Sequence, residues 1–147
     1  MQEMMNINFD RRKSLQELEG EDWGEPEVSD SSLIKTCMWL RRVPLQDFTT
    51  ENLRMMIGQK ISLFFLVPLA LETLDQDPLS EGHFYAGDLL NAVLSVPESY
   101  WRLHTEQCEV LRRVFIRAKT MQTELDETES TALCNDLKRI SNFLIDS

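Results

Sequence analysis

Histidine is nearly missing from this chain, with two residues in 147, His83 and His104. Neither stands at ligand spacing from a cysteine or from the other, so the pattern of a zinc centre is missing. Cysteine is sparse and odd in number. Cys37, Cys108 and Cys134 lie far apart and form no disulfide framework, which predicts free thiols packed as small hydrophobes. No glycine-rich phosphate loop, dinucleotide fingerprint or nucleophile elbow occurs. Cys108 and His104 would share one helix face, which is a core position rather than an open cleft. The longest apolar run, Leu63 to Leu71, has nine residues against the roughly 20 that span a bilayer. The leading MQEMMNINFDRRKS has no apolar stretch of secretion-signal length. These absences predict a soluble, cytoplasmic protein that is not an enzyme and uses no metal or other cofactor.

Acid is plentiful. The 25 Asp and Glu outnumber the 15 Lys and Arg, for a net charge of −10. Nucleic acid and anionic lipid are polyanions and would be repelled. A basic protein partner suits such a chain. Two stretches carry the imbalance. From Ser14 to Ile34 there are seven acids and no Lys or Arg, with Trp23 in the middle suggesting that the segment docks. From Glu72 to Glu98 there are six acids (Glu72, Asp75, Asp77, Glu81, Asp88, Glu98) and again no Lys or Arg. Abundant carboxylates are no evidence of a catalytic pair, which needs two of them converging in a cleft. They can make a negative surface that steers a basic partner. Phe84 and Tyr85 sit within the second stretch, either as interface anchors or as packing for the connector. His83 near Glu81 and Asp88 is only a weak candidate for a divalent-ion site.

The hydrophobic pattern is helical throughout, and no alternating strand pattern of useful length appears. Ser14 and Glu17 have capping-box spacing, and Gly20 limits the short helix that follows. Leu33, Cys37 and Leu40 make one core-facing stripe, ended by Pro44. Thr49 or Thr50 caps a helix bearing Leu53, Met56 and Ile57, with Gly58 as its break. The Met55–Met56 and Phe64–Phe65 pairs are expected in the core. Residues 60–75 read as a buried helix that either kinks near Phe64 or restarts with Pro68 in its first turn. Ser95 and Glu98 again have capping-box spacing. A single long helix is predicted over residues 98–119, with Trp101, His104, Cys108, Leu111, Phe115 and Ala118 inward and a Glu109–Arg113 pair outward. A last helix would carry Leu133, Leu137, Ile140 and Leu144. The expected fold is all-α, a single compact domain of five to seven helices with a loose acidic N-terminal segment. Residues 1–13 read as a flexible leader and 14–147 as the domain.

One set of blocks adds a biological role. It comprises Leu53-Arg54-Met55-Met56-Ile57-Gly58-Gln59, Leu66-Val67-Pro68-Leu69-Ala70-Leu71-Glu72, and Asp77-Pro78-Leu79 with Gly82 and Phe84-Tyr85. Gly87-Asp88-Leu89-Leu90, Val93-Leu94, and Pro97 with Trp101 follow. Upstream stand Lys13-Ser14-Leu15-Gln16-Glu17-Leu18-Glu19 and Asp22-Trp23-Gly24-Glu25-Pro26. In this order, over about residues 13–102, the chain resembles the immunity proteins of bacterial contact-dependent growth inhibition systems. The resemblance implies a non-catalytic cytoplasmic inhibitor. Its partner would be the cognate C-terminal toxin domain, most often a nuclease, of a large cell-surface effector, bound in a 1:1 complex. It implies no nucleic acid, membrane or small-molecule substrate as partner. The expected partner-binding residues are Asp77, Glu81 and Asp88 first, then Asp22, Glu25 and Glu27. Residues after about 103 match no part of the family pattern and are a second candidate seat of specificity. The competing reading is an acidic inhibitor or adapter, a nucleic-acid mimic, that titrates some other basic protein.

Overall fold

The computed structural model of the chain describes residues 9–121. Among the described residues there are seven α-helices and no strand: α1 (Leu15–Glu19), α2 (Ser32–Leu40), α3 (Thr50–Gly58), α4 (Leu63–Gln76), α5 (Asp88–Leu94), α6 (Glu98–Leu103) and α7 (Thr105–Met121). The expected all-α class is therefore observed. The predicted helix bearing Leu133 to Leu144, and Cys134 within it, lie outside the described residues.

The starts and stops follow from local chemistry. Ser14 and Glu17 form the expected reciprocal box: Glu17 N–H donates to Ser14 Oγ (3.2 Å) and Ser14 N–H to Glu17 Oε1 (2.9 Å). Gly20 closes α1 in the left-handed region at φ 67°, where a side chain is disfavoured. Thr49 and Asn52 build a second reciprocal box at the start of α3. Ser95 does not cap α6 as expected. Its hydroxyl donates back to the Ala92 carbonyl (2.6 Å), and Pro97 opens the helix instead.

The apolar faces meet around α4, which lies against α7 and α5, while α3 packs on α5 and α4. Met56, Ile57, Leu66, Leu71, Leu74, Leu89, Leu90 and Leu111 are fully buried there. Truncating such a leucine costs about 2–5 kcal/mol. Pro68 is buried inside α4, which begins five residues earlier at Leu63, so no helix restarts at the proline. Its missing N–H leaves the Phe64 carbonyl without the usual partner. Phe64 does not join the core with Phe65. It is 62% exposed and meets Phe65 edge-on. Leu33 is likewise more open than its stripe predicts, at 38%, because it sits in the first turn of a peripheral helix.

The single helix expected over 98–119 is two helices. His104, at φ −129° and ψ 65°, separates α6 from α7. Its ring stacks on Tyr100, and Nδ1 lies 2.8 Å from the Tyr100 carbonyl oxygen, a contact that an Nδ1–H donates. The imidazole thus takes the acceptor that a continuing helix would have used. The inward stripe survives the break: Trp101, Cys108, Leu111, Phe115 and Ala118 are all buried. On the outer face Glu109 pairs with Arg112, one position short of the expected i, i+4 partner.

Residues 9–13, assigned to the leader from sequence, are held along the domain. Phe9 packs edge-on against Phe65, and Leu45 N–H donates to the Lys13 carbonyl (3.1 Å).

Candidate functional site

The connector between α4 and α5 is a closed loop. Gly87 N–H donates to the Leu79 carbonyl (3.1 Å), and Glu81 and Ala86 form an isolated antiparallel bridge. Asp77 caps its entry by accepting from Leu79 N–H (3.1 Å). Two carboxylates then hold its tip from inside. Asp88 Oδ1 accepts from Gly82 N–H (2.6 Å), and Oδ2 from Phe84 N–H (3.0 Å) and Tyr85 N–H (3.4 Å). Glu51, reaching across from α3, takes the amide between them, accepting from His83 N–H (2.9 Å). Four consecutive amides, from Gly82 to Tyr85, therefore end on two side chains. Arg54 completes the set. Its Nε donates to Glu51 Oε1 (2.7 Å), its Nη2 donates to Oε2, and its Nε lies 4.0 Å from Asp88.

This arrangement is buried and electrostatically consistent. Asp88 is 2% exposed and Glu51 7%. The hydrogen bonds from Arg54 hold the Glu51 carboxyl below its ordinary range, against the upward push of burial, and the His83 amide adds to the lowering. Arg54 is raised in turn, chiefly by the Glu51 bond. Gly82 is required by space: a Cβ there would sit 2.5 Å from Glu51 Oε1 and 3.3 Å from the Glu51 backbone.

The loop's outward side chains are Glu81, His83 and Phe84, with Asp77 at its foot, all exposed. Phe84 is 68% exposed and lies flat under Arg54, whose guanidinium carbon is 4.4 Å from the ring centroid. Tyr85 turns the other way, half-buried, and accepts from Asn91 Nδ2 (2.8 Å). The two aromatics that sequence could not separate thus have different places.

The expected binding carboxylates divide accordingly. Asp77 and Glu81 lie on the surface. Asp88 does not: its oxygens are occupied by the loop's own amides, so its role is to shape the surface rather than to form it. Three further acids of the stretch are neutralised from outside it. Glu72 receives a bidentate pair from Arg11 (2.8 and 2.6 Å), Asp75 is met by Arg117 (3.3 Å), and Glu98 pairs with Arg102. The sequence signal of a segment without cations therefore overstated its free charge.

The second group, Asp22, Glu25 and Glu27, is exposed on the segment between α1 and α2. Two arginines at the end of α2 hold this segment. Arg41, 1% exposed, pairs with Glu19, donates from Nη2 to the Glu21 carbonyl (2.8 Å), and stacks 4.2 Å from the centre of Trp23. Arg42 donates to Glu25 (3.1 Å) and to the Gly24 carbonyl (2.9 Å), with Asp22 at 3.8 Å. Trp23 does dock, as its presence suggested. No hydrogen bond or ion pair among the described residues joins this group to Asp77 or Glu81. Sequence reasoning missed Glu51, Arg54 and Arg41. The i, i+3 spacing of Glu51 and Arg54 was the one available signal.

No cluster of three or more potential metal ligands occurs among the described residues. No helix among them is long and apolar enough to cross a membrane. Burial raises the Cys37 thiol above its ordinary range, which suits a packed rather than a reactive cysteine. The arrangement can present charge and an aromatic ring on a fixed loop.

Two comparisons return nothing: no curated protein and no solved structure matches the chain. A family model does. Residues 17–111 match the model described as CDI immunity proteins, a span that contains every acid of both segments and the whole loop network.

Proposed function

We propose, from the premise that this chain belongs to the family of CDI immunity proteins, that it neutralises its cognate toxin by binding it through the connector surface. Neutralisation of a toxin belongs to the family, whose members are inhibitors rather than enzymes. The finer reading is that the toxin is a basic nuclease domain, bound one to one in the cytoplasm. Asp77 and Glu81 would contact it first, and Asp22, Glu25 and Glu27 would extend the negative field.

The observation that carries this reading is the fixed loop at residues 82–85, which holds Glu81 outward while its own amides are satisfied inside. A preformed surface binds without a large ordering cost. A nuclease must hold a polyanion, so its substrate face is basic, and an acidic inhibitor competes for that face. Rim carboxylates of this kind act mainly on the rate of encounter.

The test is titration calorimetry against the cognate C-terminal toxin domain, together with digestion of plasmid DNA and total RNA by that domain. Binding at a ratio near one, with loss of digestion at the same ratio, is expected. A bound toxin that cuts neither nucleic acid would remove the nuclease reading and leave the inhibitor. A toxin that keeps its activity when saturated would remove both.

A further inference from the structure

We propose that Phe84 is the apolar anchor of the toxin-binding surface, inserting into a pocket on the toxin, and that Arg54 is its positioning residue. This rests on the proposed use of the connector surface. A single exposed hydrophobe is ordinary on a protein surface. Val28 and Leu103 are more exposed than Phe84, at 95% and 81%, and carry no such argument.

What separates Phe84 is its mounting. Its own N–H ends on a 2% exposed carboxylate, and the amides on either side end on Asp88 or Glu51. Its ring lies on a guanidinium that those carboxylates hold. The backbone is fixed, the ring has one face occupied, and its edge and other face are open. A large rigid side chain with few rotamers loses little entropy on insertion, which is why aromatics concentrate at the centres of interfaces. Glu81 and Asp77, exposed on the same connector, would supply its polar rim.

The occupant follows from charge. A second copy of this chain, at −10, would be repelled from a surface carrying Glu81 and Asp77. A basic protein with an apolar pocket inside a cationic rim is the complement.

Surface plasmon resonance against the immobilised C-terminal effector domain tests this with wild type, Phe84→Ala, Phe84→Leu, Glu81→Lys, Arg54→Lys and the double variant Phe84→Ala with Arg54→Lys. Phe84→Ala should dissociate at least about thirtyfold faster, the loss typical of a central anchor, while associating within about threefold of wild type. Phe84→Leu should recover part of the loss. Glu81→Lys should show the reverse pattern, slower association with little change in dissociation. Arg54→Lys keeps the charge and loses the planar stack. It should speed dissociation alone and add nothing to Phe84→Ala, because a positioning role vanishes with the group positioned. Thermal melts of each variant, read in parallel, should show Phe84→Ala folded as wild type. A Phe84→Ala dissociation rate within about threefold of wild type would overturn the anchor and leave neutralisation standing. Failure of the wild type to bind would overturn both.

Discussion

The two segments that lack Lys and Arg are built in opposite ways. In the connector, carboxylates point inward: Asp88 and Glu51 gather the backbone amides of the loop, and Asp77 and Glu81 stay on the surface. In the segment between α1 and α2, the buried group is a cation. Arg41 gathers Glu19, the Glu21 carbonyl and the Trp23 ring, while Asp22, Glu25 and Glu27 remain outside. One segment turns acid inward to become rigid, and the other keeps its acid at the surface, where Arg41 and Arg42 tie it at a few points. Formal charge along a chain is therefore a poor measure of charge on its surface. The same distinction predicts unequal responses to mutation.

The largest effect should come from Asp88→Ala. It strands the amides of Gly82, Phe84 and Tyr85 and leaves Arg54 with one carboxylate fewer, a loss of about 3 kcal/mol in unfolding free energy. Urea denaturation measures it, and a loss below about 1 kcal/mol would mean that water replaces the carboxylate at the loop. Arg41→Met should cost less, about 1–2 kcal/mol, since its partners lie nearer solvent. Its signature is local: amide exchange should accelerate over residues 21–25 and stay unchanged over 82–85. Equal acceleration in both would show that the two segments are not independent.

Acid should act on the connector through Glu51. Its folded pKa lies below the ordinary 4.5, because Arg54 favours the charged form. The stabilisation is therefore complete above the unfolded value and is lost as pH falls through the lower folded value. Glu51→Gln should flatten the acid limb of the stability profile below about pH 4.5 and change its neutral slope little. An unchanged acid limb would assign that limb to other carboxylates. The smallest effect on stability is expected for Glu81→Lys, within about 0.5 kcal/mol, while association with a basic partner slows most at low salt. A large loss of stability there would contradict its placement on the surface.

The helices could be read from sequence because their determinants are local. Ser14 with Glu17, Gly20, Thr49 and Gly58 each act within a few residues. The inward stripe through Trp101, Cys108 and Leu111 needs only a period. The site was harder because its partners are remote. The cations that neutralise Glu72 and Asp75 come from Arg11 and Arg117, and Glu51 reaches the loop at His83 from α3. Asp88 looks like any surface acid until the loop folds back over it. The break at His104 escaped notice because the apolar period runs through it unbroken.

Gly82 and the two carboxylates behind it have a consequence for how this surface can change. The loop is held through main-chain amides, and main-chain amides are the same whatever side chains stand outside them. Positions 81, 83 and 84 can then be exchanged with little penalty to the frame, while 51, 82 and 88 cannot. The fixed positions 82 and 88 thus bracket the exchangeable 83 and 84, with 81 at the border. On the proposed role of this surface, a lineage built on such a frame can follow a changing toxin by substitution alone, without insertion, deletion or a new fold.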